Sequence, residues 1–510
     1  MHVLKVAWLA LVLLAGGSLA RGTAAGVALE DKPFGNAAEY EAIKAVTFST
    51  DSRHLAFLGV KDDKQFIVRD GVSSAPYDWV VPGSLAGPMD LSRLAFIIQD
   101  GNDMAVVVDG KVVGHGYYAI GGDRIYFSPD GKHYAYTAHR GSSDQGDAIV
   151  VRDGVAGKPY PAADIQPVFS PDGNHLMYIA SPAPKKMCLV VDEKEGPTYD
   201  AIAGGTPTFS PDSKRVAYAA ASGGKVLAVV DGKTSSPYER MRMPPGFGPD
   251  SVRVAYIAGN GSQYSLVLDG VEGPKFELFT EGSVMFSPDG KHLAYAARRG
   301  KQWVMMLDGK EQRTFDAVAG ESIRFSPDSQ HLAYVGITGD KRYIILDGKE
   351  ASAAYPNILW PGPVFSPDSK RIAFAGTNEK QLVVVADGKE SPAYDNVAEI
   401  AFSPDSKHLS YRALGQGHAM IVIDGQASPP FDNTTSLTYS PDGSHWAYCA
   451  SQGDKAMIMM DGSDAGRTYT GWVKGARPVF ADAATADFLM VKDHQFVQVQ
   501  ARVAGGPSRK

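Results

Sequence analysis

Cysteine is nearly absent, with Cys188 and Cys449 the only two in 510 residues. Both sit in apolar runs, MCLVV and AYCA, so they read as buried free thiols, and their spacing suits neither a metal site nor a nucleophile. A long basic run is also missing. With 57 acidic against 50 basic residues and a net charge of −7, the chain lacks the electrostatic footprint of a nucleic-acid binder and has no polybasic membrane patch. No stretch carries apolar residues at i, i+3 and i+4 over ten or more positions, which excludes a helical solenoid. Gly-x-Ser-x-Gly is absent too, which excludes the serine hydrolase built on that elbow.

The one long apolar run stands at the start. Residues 1–20 place a Lys before Val6 to Ala15, and Ser18 and Ala20 then fit a small-residue cleavage site. We read a secretory signal peptide removed after Ala20, with Ala25 as the second choice, because the run is short for an uncleaved bilayer span. No Cys follows it, so a lipoprotein start is not available. The expected location is periplasmic or secreted, with no transmembrane segment in the mature chain.

Glycine and proline are plentiful, 55 and 32, and they punctuate a unit of about forty residues that recurs twelve times. Its Phe-Ser-Pro-Asp turn stands at Phe127, Phe169, Phe209, Phe286, Phe325, Phe365 and Phe402, with variants at Phe48, Phe247, Tyr439 and Phe480 and a worn copy near Pro88 to Asp90. Each unit reads as four short strands. In the copy ending at Gly388 they are Pro363–Phe365, Arg371–Ala375, Gln381–Ala386 and Ala393–Val397. Ser-Pro-Asp-Gly or Ser-Pro-Asp-Ser joins the first two, and Asp-Gly, a strong hairpin signal, joins the last two. Four antiparallel strands at this spacing are what a β-propeller blade requires.

Phe286 to Tyr295, FSPDGKHLAY, resembles the repeat of TolB-type propellers, as do Phe127 to Tyr136, Phe325 to Tyr334 and Phe402 to Tyr411. The resemblance covers nearly the whole mature chain and implies an all-β propeller, six-bladed in that family, with a periplasmic interaction role. Two departures stand out: there is no room for TolB's preceding α/β domain, and the repeat number is doubled. We therefore expect twelve four-stranded blades as two six-bladed rings in tandem, residues 38–272 and 273–504, with a single twelve-bladed ring as the alternative. In the tandem arrangement the strand at Tyr40 to Ile43 completes the sixth blade, and a strand around Phe276 to Phe279 completes the twelfth.

Few residues invite chemistry. His54, His133, His175, His292, His331, His408 and His445 share one repeat position, six after the aligning aromatic, where other copies carry Arg215, Arg253 and Arg371. A position shared so widely reads as structural, and the turn Asp residues read likewise. No His cluster has metal-site spacing, so neither metal nor cofactor is expected. Both tight hairpins fall on one face of a propeller, leaving the irregular loops on the other as the expected binding face. Its candidates are Trp79, Trp360 and Trp472, which could anchor a partner or stack on a sugar, and His139, Asp144 and Asp147 in the HRGSSDQGD loop. Packing between blades is the alternative for the three Trp. The expected function is a non-enzymatic scaffold binding a protein or cell-envelope component, with a glycan as a further partner class. The alternative is a lyase-like propeller enzyme acting on polysaccharide, which needs a His and acid cluster or a metal.

Overall fold

A computed structural model describes residues 27–141, 147–161, 166–378 and 381–503. Among these, every sheet is a small antiparallel one, and there are twelve. Numbered from the N-terminus, the twelve blades carry second strands Leu55–Lys61, Ala95–Asp100, Tyr134–Arg140, Leu176–Ala183, Val216–Ser222, Val254–Asn260, Leu293–Arg299, Leu332–Thr338, Ile372–Asn378, Leu409–Gly415, Trp446–Gln452 and Thr485–Lys492. The Asp-Gly hairpins have the expected chemistry. Asp109 and Gly110 both take positive φ, 50° and 76°, as a two-residue hairpin of this twist demands. In blade 2, the worn copy, the inner strand shrinks to two bridges, Val80 to Ile98 and Ala86 to Ala95.

The sequence places the fourth strand of the Gly388 copy too late. It is Lys389–Glu390, followed by a bridge from Tyr394 to Leu382, and Asn396–Phe402 is already the inner strand of blade 10. The aromatic that opens each repeat is thus a seam residue. Tyr394 meets Tyr411 edge to face with centroids 6.0 Å apart, and Tyr40 with Phe57, Tyr117 with Tyr136, Tyr199 with Tyr218 and Phe315 with Tyr334 repeat the arrangement between successive blades. Such a pair contributes roughly 0.5–1.5 kcal/mol beyond the area it buries.

Twelve hydrophobic clusters fill the molecule, and each joins one blade to the next. Blade 1 meets blade 2 through Leu58, Ile67, Val80 and Phe96. Blade 6 meets blade 7 through Tyr264, Phe276, Phe279 and Tyr295, in the same manner as any other pair. Blade 12 returns to blade 1 through Phe34, Leu55, Phe57 and Leu489. This is the contact order of one ring of twelve, the alternative the sequence leaves open, and the division at 272/273 falls inside strand Val271–Phe276.

The closing strands differ from expectation. The third strand of blade 6, Gln263–Leu268, pairs with its own outer strand Val271–Phe276, and Ala42 and Ile43 belong to the inner strand of blade 1. Blade 12 is completed by Val27–Asn36, which runs antiparallel to Gln495–Val503 from Val27 opposite Val503 to Asn36 opposite Gln495. An N-terminal strand so placed supplies the outer strand that blade 12 otherwise lacks and covers the edge of Gln495–Val503.

Because twelve blades share one turn, neighbours lie nearly parallel and touch at both inner and outer ends. At the inner end, the Asp172 amide donates to Ser213 Oγ of the next blade at 3.0 Å, and the Asp289 amide to Ser329 Oγ at 3.1 Å. Where the repeat has Gly at this place there is no room for a side chain: a Cβ on Gly443, at φ +75°, would lie 2.6 Å from Asp405 of blade 10. At the outer end, Lys158 pairs with Glu195 at 2.6 Å and Tyr355 donates to Glu390 at 2.7 Å.

Candidate functional site

The shared histidines are structural clasps. His133 Nδ1 lies 2.7 Å from Asp153 Oδ2, tying the Ser-Pro-Asp turn to the Asp-Gly turn of the same blade, while Asp153 Oδ1 accepts the Tyr134 amide at 3.0 Å. His54, His175, His292, His331, His408 and His445 make the same pair with Asp70, Asp192, Asp308, Asp347, Asp424 and Asp461. In blades 2, 5 and 9 the donor is the Nε of Arg93, Arg215 or Arg371. These contacts also put both tight hairpins of those ten blades on one face. The turn carboxylates are held by their own motif: Ser128 Oγ donates to Asp130 Oδ1 at 2.6 Å, and the bonds from Ser128 and Lys132 hold that carboxyl well below its ordinary pKa.

Both cysteines are buried and free, in blades 4 and 11. Burial raises the Cys188 thiol and pushes Cys449 up to about 12, so neither offers a thiolate near neutral pH. The His139 group does not assemble. In the ladder His139 stands opposite Ala148, and Arg140 opposite Asp147. Successive residues of a strand point to opposite faces, so His139 and Asp147 lie on opposite sides of their sheet. His115 is exposed on the outer strand of blade 2, and Asp144 lies outside the described residues. Among the described residues, no group of three His, Cys, Asp or Glu could hold a metal ion.

The three tryptophans occupy three blades and three different environments. Trp79, in the link into blade 2, is 42% exposed, with Lys44 Nζ 5.2 Å from its ring centre. Trp360, in the link into blade 9, is 76% exposed. Trp472 opens the inner strand of blade 12 and is half-buried against the core shared with blade 11. Blades 2 and 9 stand on nearly opposite sides of the ring, so the three do not form one patch.

Trp472 does belong to a depression. With Arg412, Thr435, Ser436 and the segment Gly475-Ala476-Arg477 it lines an open depression of about 280 Å³ on the inner rim, where blades 10, 11 and 12 meet. Gly475 takes φ +85° in the bulge that splits the inner strand of blade 12.

The repeat itself provides the control for Arg412. The residue directly after the second-strand aromatic is aliphatic in nine blades, as at Leu58, Ile97 and Val335, and is Thr137 in blade 3 and Cys449 in blade 11. Only blade 10 puts a charge there. Arg412 is half-buried at the seam with blade 11, and its Nη1 donates to the Thr434 carbonyl at 3.2 Å. It has no ion pair among the described residues, and neither has the exposed Arg477. Beside them the Thr434 hydroxyl is buried without a hydrogen-bond partner. Sequence reading found Trp472 and missed both arginines. The signal for Arg412 was present as one charged residue in an otherwise neutral repeat column.

No family model matches the chain, and no curated protein matches it. Solved structures do. The crystal structure of the eukaryotic initiation factor is 15% identical, covers 66% of this chain and 96% of its own, and has a TM-score of 0.34. TolB from Acinetobacter baumannii is 13% identical, with 58% of this chain and 78% of that one covered and a TM-score of 0.22. The β-propeller domain of the Trilobed protease from Pyrococcus furiosus is 14% identical, with 58% and 94% covered and a TM-score of 0.21. At these scores no functional residue passes from them to this chain.

Proposed function

We propose that this β-propeller is an exported, non-enzymatic scaffold of the TolB-like kind that binds a protein or cell-envelope component through its irregular-loop face. The observation that carries this reading is the division of labour between the faces. On the turn face, the His, Arg and Asp side chains with chemical potential are already engaged in clasps repeated from blade to blade. The loop side retains exposed Trp79 and Trp360, and the inner rim carries Arg412 and Arg477, which have no ion pair among the described residues. Aromatic and Arg side chains are the groups that most often carry binding energy at an interface. Separation of His139 from Asp147 weighs against the polysaccharide-cleaving alternative, which needs a convergent acid and base.

The test is a pull-down from the organism's own envelope extract with the mature ring and with a Trp79→Ala, Trp360→Ala, Trp472→Ala form. A partner held by the first and lost by the second supports the reading. Equal retention by both removes the Trp assignment, and no specific partner removes the scaffold role.

A further inference from the structure

We infer that the depression formed by Arg412, Trp472 and Arg477 is a binding site for an anionic sugar, a pyranose unit carrying a carboxylate or a phosphate. This rests on the scaffold reading and gives its inner rim a ligand class. Three observations carry it.

The first is the break in the repeat. A charged side chain at a blade seam must be desolvated, and eleven blades avoid this by placing a neutral residue in the same column. Blade 10 keeps Arg412, which has no ion pair among the described residues and donates to the Thr434 carbonyl. The bond to the Thr434 carbonyl places the guanidinium but leaves its charge without a counter-ion, which an incoming anion would supply.

The second is the convergence of donors. Arg412 and Arg477 come from blades 10 and 12 and line one cavity with no acidic residue in its wall. Guanidinium groups match the planar, bidentate geometry of carboxylate and phosphate better than an ammonium does. Ser436 adds a short hydroxyl at the same place, while the Thr435 hydroxyl is engaged with the Ser436 carbonyl and the Cys449 amide.

The third is the aromatic wall. Trp472 is only half-buried and lines the same depression, so an aromatic side chain stands beside the two cations. A bare inorganic anion has no use for that surface. A sugar ring presents C–H groups to an aromatic face and hydroxyls to Ser and Thr, and its anionic substituent reaches the arginines.

The test titrates the full mature ring by calorimetry with glucuronate, glucose 6-phosphate, glucose and inorganic phosphate. Two variants accompany it: Arg412→Ile, which restores the residue class of the other blades, and Arg477→Ala on the exposed rim. The expected result is saturable binding of one or both anionic sugars, at least about tenfold tighter than glucose or free phosphate. It should weaken about tenfold in each variant, with an unchanged melting temperature. Whether glucuronate or glucose 6-phosphate binds separates the carboxylate from the phosphate source. The inference is overturned if neither sugar binds, if both variants bind as the parent does, or if inorganic phosphate binds as tightly as its sugar ester. Capture of an envelope partner in the presence of any of those results would leave the scaffold reading standing and the sugar site alone refuted.

Discussion

Arg53 of the first blade donates from Nε to Asp487 Oδ2 of the last at 2.9 Å, across 434 residues of sequence. Asp487 is fully buried, and its other oxygen accepts from Gln498 at 3.1 Å and Gln500 at 3.2 Å. This hydrogen bond is the main cause that raises the Arg53 pKa above its ordinary value. Arg53→Leu would strand a buried carboxylate, and we expect a loss of about 3 kcal/mol. The double variant Arg53→Leu, Asp487→Leu should recover most of that loss. Denaturant unfolding of the four proteins measures it, and a double variant as unstable as the single would show that the pair is not what holds this seam.

Removing Val27–Asn36 should open the ring without disturbing the interior of any other blade. The exposed edge of Gln495–Val503 then becomes a template for another chain. Size-exclusion chromatography should show oligomers or aggregates for the truncated chain, and a synthetic peptide of residues 27–36 should restore the monomer by strand addition. A truncated chain that stays monomeric and protease-resistant on its own would remove the closing role.

Acid should unfold the ring through its turn carboxylates. Asp130, Asp172, Asp289 and Asp405 are held below the ordinary Asp pKa, chiefly by the Ser two residues earlier, and Asp442 is lowered to about 2 by Ser440 and Ser444. A carboxylate with a lower pKa folded than unfolded binds protons more weakly in the fold. Its contribution is therefore complete above the unfolded value of about 3.9 and is lost as pH falls through the folded one. Melting temperature should be flat with respect to these groups from about pH 6 to 5 and fall steeply between about pH 4 and 2. Asp442→Asn should make that fall shallower.

The tryptophans should separate stability from recognition. Trp79→Ala and Trp360→Ala change exposed side chains and should shift unfolding by no more than about 0.5–1 kcal/mol, Trp79 by the larger amount because its Lys44 contact is lost. Trp472→Ala removes part of the core between blades 11 and 12 and should cost about 2 kcal/mol. Equal effects from all three in thermal or urea unfolding would contradict the assignment of only one to the core.

What the sequence made legible is what repeats. Phe-Ser-Pro-Asp, Asp-Gly, the seam aromatic and the shared His each perform one local task at least seven times, so their meaning accumulates along the chain. Val27–Asn36 was invisible for the opposite reason. It occurs once, has no hairpin of its own, and acquires its strand partner only from the far end of the sequence. The extent of the outer strand was misjudged because Tyr394 links to strand Gln381–Ala386 by a single bridge, and Asn396 beyond it already pairs within the next sheet. Trp472 was legible as an aromatic in an irregular link. Arg412 escaped because a lone Arg inside a strand resembles the solvent-facing residues around it until the twelve copies are stacked in register.

The closing strand also places a clock on biosynthesis. A ribosome adding about 5–20 residues per second needs roughly 20 to 90 s to travel the interval that separates Arg53 from Asp487. Throughout that time the first blade presents Leu55, Phe57 and Val68 on a flank whose cover by Val473, Ala476 and Leu489 has not been synthesised. Export of an unfinished chain, or a holding chaperone that binds this flank, would keep the first-made strand available for the last-made one.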